Sequence, residues 1–153
     1  MPKYICLMIK TVKVLNLFST LLFAIVLLLV YAYLPINVDL NVEGWHPVHK
    51  QDFFYQFLIT FFGLNILLRV VIFYGLKRLK VLLLSWVSGL IFVMNFYFTL
   101  LTGFIGVWNN PTHISPASYN YLNIIGPVFL IIWLAGLIFL LLKRHKTSSF
   151  SID

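Results

Sequence analysis

Three polar side chains within long apolar segments, Asn65, Arg69 and Asn95, are the strongest candidates for chemistry in this sequence. A polar group surrounded by hydrocarbon is costly, so each of the three needs a hydrogen-bond partner or a function. Asn65 lies twelve residues after Phe53, and Asn95 lies twelve residues before Val107. At about 1.5 Å per helical residue, both amides would lie ~18 Å from the same membrane boundary.

The segments that hold Asn65 and Asn95 are joined only by the short turn Leu76–Lys80, so they should be antiparallel neighbours. We therefore predict a hydrogen bond between the two amides, worth about 0.6 kcal/mol and at most ~2 kcal/mol. The alternative is a polar site that binds a ligand or an ion. The sequence favours the helix contact.

Arg69 lies one helical turn beyond Asn65 on the same face, six residues before Gly75 at the end of its segment. From that depth its side chain can extend to the interface and meet anionic lipid headgroups. The alternative is a buried cation that binds an acidic group of a substrate or partner. The apolar segments contain no acidic residue, so no ion pair within the chain is available at that depth.

Histidines outside the apolar segments raise the question of a metal site. His46 and His49 are three residues apart in one loop, and His113 lies in another loop on the same side of the membrane. With a nearby carboxylate they could supply three or four ligands. Their spacing fits no metal motif, and Pro47 disfavours a helix that would align the first two. We therefore expect solvated histidines and neither a metal nor another cofactor.

Composition places these side chains in a membrane protein. The chain is 61% hydrophobic and only 10% charged, and its mean hydropathy is +0.98. A soluble domain carries about 25% charged residues. Backbone groups in lipid need internal partners, and continuous rather than alternating apolar runs favour helices over a barrel. We predict an all-α, single-domain bundle over 1–153, with four transmembrane helices over 14–34, 53–75, 81–107 and 124–142.

Basic residues predict the orientation of this bundle. The side of the membrane opposite to the termini holds one basic residue, Lys50, and three acids, Asp39, Glu43 and Asp52. The positive-inside rule therefore predicts that both termini are cytoplasmic. It also explains the net charge of +7 without nucleic acid. The basic residues on the side of the termini are Lys3, Lys10, Lys13, Lys77, Arg78, Lys80, Lys143, Arg144 and Lys146.

A short motif follows the first predicted helix. It reads Tyr33-Leu34-Pro35-x-x-Val38, then Asn41-x-x-Gly44, then Lys50-x-x-Phe53. This stretch resembles the DUF1648 segment of the bacterial membrane family named for the SdpI immunity protein. The His that usually precedes the Asn in that family is absent, and no Pro-Asp follows Gly44. The resemblance implies a multi-span protein of the bacterial inner (plasma) membrane, some of whose relatives protect against a membrane-active toxin. It implies no catalytic residue.

The sequence contains no nucleotide-binding glycine loop, no nucleophile elbow and no carboxylate pair within a span, so we do not predict an enzyme. The first hypothesis is a membrane protein that acts by binding, as an accessory subunit of a complex or an immunity-type interaction protein. The second is an oligomeric small-molecule or ion transporter that uses Asn65, Asn95 and Arg69. The third is an outer-surface metal-binding subunit. Expected partners are the lipid bilayer and other membrane subunits or further copies of this chain.

Overall fold

The computed structural model of the chain describes residues 3–75, 81–110 and 121–149, and these residues are mostly helical. A π-helical turn, Val71–Gly75, ends the second helix. The elements in chain order are α1 (Lys3–Tyr33), β1 (Asn37–Val38), β2 (Val48–His49), α2 (Lys50–Val70), α3 (Val81–Trp108) and α4 (Tyr121–Ser149).

Each helix contains an apolar stretch long enough to cross a membrane, so the prediction of four spanning helices is confirmed in length and composition. The helices run beyond the predicted apolar spans, most clearly at α1, which begins at Lys3. Backbone hydrogen bonding can continue where the side chains become polar, so a helix need not end where its apolar stretch does. The apolar stretches are Leu7–Tyr33, Lys50–Tyr74, Leu83–Trp108 and Ile124–Leu142.

Helix α3 occupies the centre of the bundle. Within an 18-residue apolar window of α3, 39% of the residues are buried within the protein, against 17% in the corresponding window of α1 and 11% in those of α2 and α4. Its largest interface is with α1 and the next largest is with α4, whereas α2 contacts it less closely. Gly106 permits the close approach of α1, because a Cβ atom there would lie 2.7 Å from Cγ2 of Val30. The predicted contact between α2 and α3 is present, although α1 lies closer to α3.

Large aromatic side chains join α2 to the pair formed by α1 and α3. The rings of Phe23 in α1 and Phe61 in α2 stack with their centroids 3.7 Å apart, and both residues are buried. Phe98 of α3 presents its ring roughly perpendicular to both, at 6.2 Å and 6.0 Å. The two edge-to-face pairs made by Phe98 add to the free energy gained from apolar burial. Rings need more space than small residues do, which is why the backbone of α2 lies farther from α3.

Two tryptophans bind α4 to α3 by reciprocal hydrogen bonds. Nε1 of Trp86 donates to the carbonyl of Trp133 at 3.2 Å, and Nε1 of Trp133 donates to the carbonyl of Trp86 at 3.1 Å. Glycines on α4 make room for the aromatic side chains of α3. A Cβ atom at Gly136 would overlap the ring of Trp86, and one at Gly126 would overlap the ring of Tyr97. The interface therefore depends on the absence of a side chain at both positions.

The segment between α1 and α2, predicted only as a loop, forms a short antiparallel hairpin. Val38 of β1 pairs with Val48 of β2. Asn41 and Gly44 adopt positive φ angles of 54° and 82°, which let the chain reverse direction. The fully buried side chain of Val38 belongs to the core formed with α1 and α2, so the hairpin closes this end of the bundle.

Lys50 fixes the first turn of α2 to the last turn of α1. Its Nζ donates to the carbonyl of Leu34 at 3.0 Å and lies 4.7 Å from the ring centroid of Tyr31. The ammonium group therefore satisfies a carbonyl at the end of α1 and makes a cation–π contact as well.

Candidate functional site

Asn65 and Asn95 meet inside the bundle, as the sequence predicted. Nδ2 of Asn65 donates to Oδ1 of Asn95 at 2.8 Å, and both residues are buried. The contact extends to α1, because Nδ2 of Asn95 donates to Oγ of Ser19 and Oγ1 of Thr20, each at 3.1 Å. We call these four residues the asparagine cluster. It links α1, α2 and α3 by direct side-chain hydrogen bonds.

The amide N–H groups of the asparagine cluster are fully used. Asn95 gives its two donors to the hydroxyls of α1, and Asn65 gives its second donor to the carbonyl of Phe61 at 2.9 Å. An amide nitrogen has only two N–H donors, so neither residue has one left for a ligand. Oδ1 of Asn65 is buried and, within the described part of the chain, has no partner. The arrangement serves helix association more directly than it serves ligand binding.

Sequence reasoning did not identify the two hydroxyl residues of α1 that complete the cluster. A signal was present, since Asn16, Ser19 and Thr20 recur at i, i+3 and i+4 in an apolar helix. This spacing places them on one face. Ser19 and Thr20 also donate to the carbonyl of Asn16, at 3.0 Å and 2.8 Å. A hydroxyl in an apolar helix can donate its hydrogen bond to a backbone carbonyl one turn earlier. The spacing of these three residues therefore did not by itself indicate a partner on another helix.

A cavity of about 890 Å³ that is open to the outside lies between α1, α2 and α3, beyond the asparagine cluster on the side away from the hairpin. We call it the three-helix cavity. Most of its wall is apolar. The polar lining residues include Lys13 and Asn16 on α1, Arg69 on α2 and Ser88 on α3. Of these, the sequence identified Arg69 as a site candidate and assigned Lys13 only to orienting the chain.

Lys13 and Arg69 lie at nearly the same level along the bundle. The stacked pair Phe23 and Phe61 fixes the register of α1 against the antiparallel α2. Lys13 precedes Phe23 by ten residues and Arg69 follows Phe61 by eight, about 15 Å and about 12 Å along the helix axes. The two cations therefore share one end of the bundle to within about 3 Å of height.

The described residues provide no carboxylate to neutralise Lys13 or Arg69. Asp52, in the first turn of α2, lies 17 residues before Arg69, about 25 Å along the helix. Asp39 and Glu43 belong to the hairpin segment at that same far end. Both cations line the cavity and are exposed. They therefore give this part of the protein a positive potential that favours an anionic occupant.

Asn16 lines the three-helix cavity and also holds α1 against α3. Its Nδ2 donates to the carbonyl of Ser88 at 3.2 Å, which links α1 to α3. Its Oδ1 is buried and accepts no hydrogen bond from the described residues. A buried acceptor without a partner costs about 1–3 kcal/mol.

The histidines proposed as metal ligands have other surroundings where the structure describes them. His49 precedes α2, and its Nδ1 accepts from the backbone N–H of Gln51 at 3.4 Å. His46 is exposed in the hairpin loop. His113 lies outside the described residues. Over the ranges 3–75, 81–110 and 121–149, no three His, Cys, Asp or Glu side chains come together in a metal-binding group.

A second polar contact, which sequence reasoning missed, fastens the hairpin to the end of α3. Oδ1 of Asn109 accepts from the backbone N–H of Asp39 at 2.8 Å, and its Nδ2 donates to the carbonyl of Asp39 at 2.7 Å. Nε1 of Trp108 donates to the Asp39 carboxylate at 3.2 Å. The amide of Asn109 thus pairs with both backbone groups of one residue, as a neighbouring strand would.

No family profile matches the chain, and neither a curated protein nor a solved structure matches it. Function is therefore inferred from the geometry of the bundle, above all from the asparagine cluster and the three-helix cavity.

Proposed function

We propose that the chain is a non-enzymatic, multi-pass membrane protein that acts by binding, and that the three-helix cavity is its binding site. The observation that carries the proposal is the cavity itself: about 890 Å³ of largely apolar space that includes Lys13 and Arg69 in its lining. Small-molecule sites in proteins measure about 300–1,000 Å³ and combine apolar walls with a few polar groups. The three-helix cavity has both properties.

In this proposal both termini are cytoplasmic and the hairpin faces the opposite side. The distribution of basic residues supports this orientation, since Lys50 is the one Lys or Arg of the hairpin segment and of the first turn of α2. The three-helix cavity then lies in the cytoplasmic half of the bilayer. The resemblance of the hairpin segment to the SdpI family supports a bacterial plasma membrane as the location.

The outer faces of α2 and α4 suit an accessory or immunity-type role in a larger assembly. Ile59 and Ile66 of α2 and Ile131 and Phe139 of α4 are more than half exposed, at 70%, 61%, 62% and 65%. Apolar faces of this kind can pack against lipid or against another membrane subunit. A ligand in the cavity would then regulate or stabilise the assembly in which the chain takes part.

Transport through Asn65 and Asn95 has less support than binding in the cavity. A polar pathway needs donors and acceptors that a moving substrate can use. The N–H donors of both asparagines already bond within the bundle. Arg69 lines the three-helix cavity and is separate from those hydrogen bonds.

Native mass spectrometry of the full chain, purified from its membrane in mild detergent, tests the proposal. We expect a fraction of the protein to keep one small molecule in a 1:1 complex after free lipid has been removed. Protein that carries no such molecule under any gentle condition would contradict the proposal. Retention of a protein subunit in place of a small molecule would indicate that the chain binds through the outer faces of α2 and α4 and not through the cavity.

A further inference from the structure

We propose that the ligand of the three-helix cavity is an anionic phospholipid from the cytoplasmic leaflet, with its phosphate between Lys13 and Arg69. The inference rests on the proposed function and goes beyond it, because it states the chemical class of the ligand. It draws on two features of the cavity: the two cations and the apolar wall.

The charge of the cavity selects an anion. Lys13 and Arg69 approach from two different helices at nearly the same level, and no described carboxylate lies at that end of the bundle. A guanidinium group can bind two phosphate oxygens at once, and an ammonium group binds phosphate as a point charge. The pair can therefore hold one phosphate from opposite sides.

The wall of the cavity selects an anion that carries hydrocarbon. On the side of the cations that faces the bilayer centre, the lining includes the apolar side chains of Leu17 and Ile91. A free phosphate ion would leave this apolar surface unused, and its burial there would cost the ion its hydration. A phospholipid places its phosphate at the cations and its acyl chains along the apolar wall, from which they continue into the bilayer.

Phosphatidylglycerol carries a net negative charge on its phosphate, so it is the probe of choice. Phosphatidylcholine with the same acyl chains has no net charge, and it is the matched comparison.

The test is a titration of delipidated full-length protein with each of these two lipids, with the 1:1 complex measured by native mass spectrometry. A basic residue near a membrane surface contributes about 1 kcal/mol to the binding of anionic lipid, a factor of about five. We expect saturable binding of phosphatidylglycerol with an affinity about 25-fold above that of phosphatidylcholine. Lys13→Gln and Arg69→Gln should each reduce that preference about fivefold.

Lys10→Gln is the matched control, since it removes the same charge from the same helix at a residue that does not line the cavity. It should leave the lipid preference unchanged, and Arg69→Lys should retain most of it. Equal affinity for the two lipids would overturn the inference and leave binding in the cavity intact. If Lys10→Gln reduced the lipid preference as much as Lys13→Gln does, the preference would come from the overall positive charge of the surface. If inorganic phosphate displaced the lipid, the cavity would be a site for a free anion. Either result would also overturn it.

Discussion

At the scale of single residues, the asparagine cluster shows how a membrane protein can use a few polar groups to specify which helices meet. Lipid tails are as apolar as leucine, so apolar burial does not favour one helix partner over another. Asn95 makes three side-chain hydrogen bonds to two different helices, whereas Asn65 makes one across a helix interface. Asn95 is therefore the centre of the cluster.

Replacement of Asn95 by Leu should lower the free energy of unfolding by about 2 kcal/mol, and replacement of Asn65 by Leu should lower it by about 1 kcal/mol. Asn95→Leu has the larger effect because it also removes both contacts to α1. The double variant should lose less than the sum of the two, because the shared hydrogen bond is lost only once. Steric-trap unfolding in bicelles measures these values.

Thr60→Leu, at an exposed position of α2 outside the cluster, is the control and should change stability by less than about 0.5 kcal/mol. Strictly additive effects of the two asparagine variants would mean that the hydrogen bond between them contributes nothing to stability.

Asn65 and Asn95 could be paired from the sequence because equal depth and a short connecting turn are both readable from the positions of apolar segments. The link from Asn95 to Ser19 and Thr20 could not, because α1 and α3 are far apart in the chain and nothing in their spacing reports that they touch. The cavity beside Lys13 and Arg69 depends on the same three-helix arrangement. The sequence therefore identified Arg69 as a candidate residue but could not predict the cavity that Arg69 lines.

At the scale of elements, the interface between α3 and α4 depends on glycine. Gly126→Ala would place a methyl group within the ring of Tyr97, so the two helices or the ring must shift. Overpacking of this kind costs about 1–3 kcal/mol. We expect Gly126→Ala to lower the free energy of unfolding by that amount in the same bicelle assay.

Gly63→Ala is the matched control because Gly63 also lies inside a helix, with no atom near its Cβ position. It should leave stability unchanged or raise it slightly, since alanine favours helix more than glycine does. Equal effects of the two substitutions would contradict the close packing of α4 on α3.

The hairpin is the element that sequence reasoning treated least well. Two-residue strands are too short to show an alternating pattern, and β1 and β2 were therefore included in a loop. Asn41 and Gly44, which adopt positive φ angles in the hairpin, are residue types that favour turns, and both belong to the motif that resembles the SdpI family. The attachment of Asp39 to Asn109 joins residues 70 positions apart, which no local pattern could indicate.

At the scale of the whole molecule, the helices and their order followed from apolar length alone, because α1 to α4 each exceed what a bilayer requires. Their arrangement did not follow. The chain places α3 at the centre because its small and polar residues accept α1 on one side, while its Trp86 and Tyr97 fit against glycines of α4 on the other.

The proposed orientation, with both termini in the cytoplasm, predicts which sites are accessible from outside the cell. With Cys6 replaced by Ser, a single cysteine at Asn41, which is exposed in the hairpin, should react with an impermeant maleimide in intact cells. A single cysteine at Ser148, in the basic C-terminal segment, should react only after permeabilisation. Labelling of Ser148 from outside, or protection of Asn41, would contradict the proposed orientation.

The central claim is that the three-helix cavity is occupied, and a cavity-filling substitution tests it most directly. Ser88 lines the cavity on α3, and its carbonyl, which bonds to Asn16, remains after substitution. The measurement is the fraction of purified Ser88→Phe protein that retains a 1:1 small-molecule complex, compared with Thr60→Phe, which adds the same ring to the exposed face of α2. We predict that the fraction of protein in the 1:1 complex is at least tenfold lower in Ser88→Phe than in the wild type. Thr60→Phe should retain the same fraction as the wild type, and all three proteins should be equally stable. Equal retention by the two variants would contradict the assignment of the cavity as the binding site.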